Sequence, residues 1–142
     1  MNNINEHTNG AAWQPWIATS GRVLLAAIFV LSGIAKLADP TGSAGYIASV
    51  GLPAPQLALW GAIAVELLGG LALIAGYKVR LVSAALAAFS VVTAALFHAQ
   101  LGDQMQFIMF FKNVAMAGGL MQIVAFGGGR LSLDSRFATT AD

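Results

Sequence analysis

The chain has 142 residues, 58% of them hydrophobic and only 9% charged, with a formal net charge of +1. Soluble domains carry about a quarter charged residues, so seven cations and six anions are too few to coat a water-exposed globule of 14.6 kDa. With a net charge this close to zero, no basic patch argues for nucleic acid. The absence of cysteine excludes disulfides, thiolate metal sites, iron–sulfur clusters and CXXC chemistry by this chain itself. One domain fits the length, and a mean hydropathy of +0.75 reads as an all-α integral membrane protein.

Residues 1–16 form a polar N-terminal tail without the basic start of a usual signal peptide. Trp13 and Trp16 in it suit a membrane interface. Four apolar segments follow, at about 17–37, 56–76, 79–99 and 107–126. Each has roughly 20 residues, the length at which an α-helix crosses a ~30 Å hydrocarbon core. The sequence therefore predicts a polytopic four-helix transmembrane bundle over residues 17–130.

Between the first two spans, Asp39-Pro40 is a helix start, with Asp as cap and Pro at the first helical position. Gly51-Leu52-Pro53 is a stop, which places a short interfacial helix at about 40–50 with Tyr46 at headgroup level. Lys78 and Arg80 sit at a tight turn between spans two and three, and residues 101–106 form a polar link carrying Gln104 and Gln106. Connections this short make neighbouring helices antiparallel. Gly127-Gly128-Gly129-Arg130 reads as a helix stop with a basic anchor, and residues 131–142 as a loose, cytoplasmic C-terminal tail. Arg22, Lys78, Arg80, Arg130 and Arg136 fall on the side of the termini and Lys36 and Lys112 on the other. The positive-inside rule then puts both termini in the cytoplasm and the short helix outside.

Ionisable residues near hydrocarbon each cost about 2.5–3.5 kcal/mol at the bilayer centre, so each needs a reason. Glu66 lies about ten residues into the second span, roughly 15 Å deep, on a face with Ala62, Gly69, Gly70 and Leu73. Small residues there let a neighbouring helix approach and turn Glu66 into the bundle. Lys112 lies roughly 8 Å below the outer boundary, followed by Asn113. His98 ends the third span above Ala94 and Ser90, and Lys36 ends the first above Ser32. Lys36, His98, Lys112 and Asn113 thus come from three helices but share the outer half, with Glu66 beneath them. Together they form a candidate ligand pocket. Glu66 has Lys112 above it and Arg22 below as partners, and the sequence leaves that choice open. Lys36 and Arg22, being near helix ends, also have the option of snorkelling to the interfaces. Basic groups around one carboxylate suit a carbonyl-bearing or anionic ligand, such as a quinone head group or a small oxyanion. Two histidines, one of them His7 in the tail, and one buried carboxylate make too thin a set for a metal. No phosphate-loop or dinucleotide fingerprint stands in a fitting context.

Arg22-Val-Leu-Leu-Ala-Ala-Ile-Phe-Val-Leu-Ser-Gly-Ile-Ala-Lys36-Leu37 resembles the first helix of the DoxX family. Tyr46-Ile-Ala-Ser-Val-Gly-Leu-Pro53 resembles its loop helix and stop, and Val65-Glu66-Leu-Leu-Gly-Gly70 its second span. Phe97-His98, Phe110-Phe-Lys112-Asn113 and Gly127-Gly-Gly-Arg-Leu-Ser-Leu-Asp134 are similar to its third span, fourth span and tail. The resemblance runs from Arg22 to Asp134. It implies a small four-helix protein of the bacterial inner membrane, similar to the small subunit of an archaeal thiosulfate:quinone oxidoreductase, with some members linked to redox defence. The expected function is an accessory or quinone-binding subunit of a membrane redox system, with no covalent cofactor and with electrons supplied by a redox partner protein. The alternative is a non-catalytic scaffold whose glycine-rich faces associate with a partner or with a second copy. A small-solute transporter ranks behind both, because four helices form a path only as an oligomer and no discontinuous helix is evident.

Overall fold

The computed structural model describes residues 12–139, with side chains described through Phe137. His7 and most of the polar N-terminal tail lie outside the described residues. Among the described residues six helices follow in order: α1 (Gln14–Ala38), α2 (Pro40–Ser49), α3 (Pro55–Ala75), α4 (Val79–Phe97), α5 (Gln104–Phe126) and α6 (Leu133–Thr139). Among the described residues, α1, α3, α4 and α5 are long and apolar enough to cross a membrane. The all-α four-span architecture with its short helix is the one that the apolar runs predict.

The boundaries move where capping chemistry overrides hydropathy. α1 starts three residues earlier than the apolar run, with Pro15 in its first turn, where a missing N–H costs nothing. α5 also starts three residues earlier. The Asp103 side chain accepts a hydrogen bond from the Gln106 N–H at 2.9 Å, so Gln104 and Gln106 belong to the helix and not to the link. α4 stops at Phe97, leaving His98 as its cap residue.

The spans pack as two tight antiparallel pairs, α1 with α3 and α4 with α5. Glycine sets the closeness of the first pair. A Cβ on Gly70 would stand 2.7 Å from Val30 Cγ2 and 3.3 Å from the Ala26 carbonyl oxygen, and one on Gly33 would stand 2.7 Å from Leu67 Cγ. Backbones that approach this closely gain dispersion contact, the main attraction left between helices in lipid. The contacts also fix the register, with Gly33 opposite Glu66 and Leu67, and Gly70 opposite Ala26 and Val30. The first two turns of α3 therefore project beyond the end of α1. α2 covers them, packing Ala44 and Ile47 against Leu59 and Ile63. A second apolar cluster, including Ala26, Phe29, Leu73, Leu86, Ala117 and Leu120, fills the centre of the bundle. Outward residues such as Leu24, Leu57 and Phe126 are exposed; apolar surface of this extent belongs against lipid.

At the opposite end from α2, a polar joint locks the chain. Arg22 is 2% exposed. It donates to the Gly128 carbonyl, to that of Leu131 at 3.0 Å and to that of Ile74 at 3.5 Å. It thus satisfies carbonyls at the end of α3 and in the loop after α5, and does not snorkel. The C-terminal segment, expected to be loose, forms α6. The Asp134 carboxylate accepts from the Lys78 N–H at 2.7 Å and the Val79 N–H at 2.8 Å, capping α4 with a residue 55 positions away. Hydropathy gives no signal for such a remote cap.

Candidate functional site

Near the α2 end the two helix pairs part around a cavity of about 680 Å³. Its walls are largely apolar, including Ile28, Phe29, Ile47, Phe89 and Leu96. Lys36, Glu66, His98, Lys112 and Asn113 all line it, so one space brings together the five residues singled out by depth and helix position.

The centre of the site is an ion pair. Glu66, 4% exposed, accepts from Lys36 Nζ on both carboxylate oxygens at 2.9 Å. Ser32, one turn before Lys36, accepts from Nζ at 2.8 Å and donates to Glu66 Oε1 at 3.0 Å. The lysine's donors and the carboxylate's nearest lone pairs are thus satisfied within a three-residue network, the condition under which charge persists in a low-dielectric interior. The partner of Glu66 is neither Lys112 nor Arg22. Counting depth from each helix end set Lys36 too far from Glu66. The offset of α3 past α1 brings Glu66 level with Gly33, one turn inside Lys36, and the long lysine stem spans the remainder. Lys36 therefore reaches into the bundle.

The other three residues form the rim on the α4–α5 side. His98 Nδ1 donates to Gln106 Oε1 at 2.7 Å. With that proton on Nδ1, a neutral imidazole has Nε2 as its acceptor. Lys112 is exposed, with Nζ 3.1 Å from Met109 Sδ, a weak acceptor that leaves its charge available. Asn113 is buried and donates to the Met109 carbonyl at 2.9 Å, so part of its amide is spent within α5. Tyr46 of α2 lines the cavity too, its ring 5.5 Å from that of Phe97. The sequence places Gln106 on a loop adjoining the pocket, and it does not single out Ser32 or Tyr46 for the site. Asp103 followed by glutamine three residues later is a capping-box pattern and marks Gln106 as helical, in the first turn of α5.

Chemically, the site is a membrane-level cavity with apolar walls, a paired carboxylate and lysine on one side, and an imidazole acceptor with a second ammonium on the other. Its volume falls within the ~300–1,000 Å³ of ordinary small-molecule sites.

A family model described as DoxX matches residues 17–99, which covers α1 to α4 and the Lys36–Glu66 pair. The chain is 32% identical over 113 residues to inner membrane protein YqjF of Escherichia coli (strain K12), covering 80% of this chain and 85% of that protein. It is 30% identical over 141 residues to inner membrane protein YphA of the same organism, covering 96% of this chain and all of that one. No solved structure matches it. With four apolar spans, a matching family model and inner-membrane relatives across most of its length, the chain belongs to the DoxX family of multi-pass inner-membrane proteins.

Proposed function

We propose that the cavity binds the head group of a membrane quinone and that the protein is an accessory subunit of a membrane redox system. The observation that carries this reading is the placement of the Lys36–Glu66 pair and His98 around one apolar-walled cavity. A quinone offers two carbonyl acceptors on an apolar ring, and the quinol offers two hydroxyl donors. Lys112, whose only contact among the described residues is the weak acceptor Met109 Sδ, supplies a donor to a carbonyl. His98, its Nδ1–H held by Gln106, presents Nε2 as an acceptor for a quinol hydroxyl. Glu66, linked to Lys36 and Ser32 by hydrogen bonds, is positioned to hold a proton when quinol is formed or oxidised, a common role for an intramembrane carboxylate. Reduction of quinone to quinol takes up two electrons and two protons; the electrons come from a partner redox protein. Both termini face the cytoplasm in this reading, so the cavity lies in the outer half of the membrane.

The test is mass spectrometry of lipid extracted from gently purified protein. Quinone should co-purify with the parent above the level in a control membrane protein, and fall to that level in Lys36→Met, Glu66→Gln and His98→Ala. A parent with no more quinone than the control overturns the proposal.

A further inference from the structure

A second concavity lies at the other end of the bundle, remote from the cavity described above. It is a groove of about 710 Å³ lined by Lys78, Val79, Arg80 and Leu81 at the start of α4, by Phe126 and the glycine turn after α5, and by Arg130, Ser132, Asp134 and Ser135. Its shape comes from the backbone. Gly127 and Gly129 hold φ of 81° and 79°, in the left-handed region that favours glycine. The Arg80 guanidinium lies along this turn, where a Cβ on Gly127 would come 3.7 Å from Nε.

The groove's charges do not cancel. Lys78, Arg80 and Arg130 face one carboxylate, Asp134, and that carboxylate already accepts the Lys78 and Val79 N–H groups. Lys78 Nζ lies 5.5 Å from the centroid of the Tyr77 ring. The Arg80 and Arg130 guanidinium groups have no hydrogen-bond or ion-pair partner among the described residues. Both stand at the level where spans end and headgroups begin. Beside them Leu81 and Phe126, 68% and 79% exposed, are apolar residues turned outward at the ends of two spans.

We propose that this groove binds the phosphate of an anionic phospholipid in the leaflet at the α6 end. Two guanidinium forks match the paired oxygens of a phosphodiester. Leu81 and Phe126 meet the first methylenes of the acyl chains. The excess of cations selects lipid type, because the ammonium of a zwitterionic headgroup would be brought against Lys78 and two arginines, whereas an anionic headgroup brings no such charge. The proposal is independent of the quinone reading, since the two sites share no residue.

The experiment is native mass spectrometry of the full chain in neutral detergent, titrated separately with phosphatidylglycerol, phosphatidylcholine and inorganic phosphate. The parent should retain phosphatidylglycerol in preference to phosphatidylcholine. Each arginine replaced in Arg80→Gln and Arg130→Gln should weaken phosphatidylglycerol by about fivefold. The double Arg→Lys variant should keep the preference at reduced strength, since it retains charge and loses the fork. Equal retention of the two lipids by the parent, or an undiminished preference in the double Gln variant, overturns the proposal. Displacement of the lipid by an equal concentration of inorganic phosphate would assign the groove to a free anion and overturn it as well.

Discussion

At the residue scale, the Lys36–Glu66 pair sets the energetics of the cavity. Lys36 Nζ reaches both oxygens of Glu66, and the carboxylate is 4% exposed. Removing one member leaves the other charged and without its partner, so Glu66→Ala should destabilise the protein by roughly 3–5 kcal/mol, seen as a lower Tm in detergent. Replacing both, as Lys36→Met with Glu66→Met, should recover most of that loss, because two apolar side chains of similar volume need no partner. If the double variant is as unstable as Glu66→Ala, the pair is not the source of the effect. The comparison also separates stability from binding. The double variant should fold and still fail to retain quinone.

At the element scale, close packing and remote capping carry the fold. Gly70 sits where α3 meets the α1 backbone, so Gly70→Ala should cost about 1–3 kcal/mol through overpacking. A Cβ on Gly61 meets nothing within 4 Å, so Gly61→Ala should stabilise by roughly 0.4–1 kcal/mol through the unfolded chain. Thermal unfolding of the two variants under one condition tests both signs together. Asp134 joins α6 to the start of α4 through two N–H bonds. Asp134→Ala should cost about 0.5–2 kcal/mol, as a lost helix cap does. Limited proteolysis should then cut near α6 sooner than in the parent, and an unchanged cleavage rate would show that α6 is held by other contacts.

At the scale of the whole molecule, the four spans, the short helix between the first two and the glycine stop after the last are legible in the sequence, because they rest on local rules. Length and apolarity specify a span, Asp-Pro starts a helix, and Gly-Leu-Pro ends one. Orientation rests on a further local rule, the excess of arginine and lysine at the α6 end. The chain has no native cysteine, so single cysteines report sidedness without background. Ser49→Cys, at the end of α2, should react with an impermeant maleimide in intact cells, and Tyr77→Cys, in the α3–α4 turn, should react only after lysis; the reverse pattern would invert the assignment. The sequence also determined which polar residues share the cavity end, because position along each span fixes depth. It did not determine who pairs with whom. Lys36 meets Glu66 because α3 projects two turns beyond α1, an offset set by where Gly33 and Gly70 let the helices touch. Arg22 turns to the carbonyls of Gly128 and Leu131 because α5 and α6 fold back over it. Asp134 caps a helix 55 residues earlier in the chain for the same reason. Each of these is a contact between segments far apart in sequence. Hydrophobic periodicity constrains the face a residue occupies, and only the packed structure decides the height at which two faces meet.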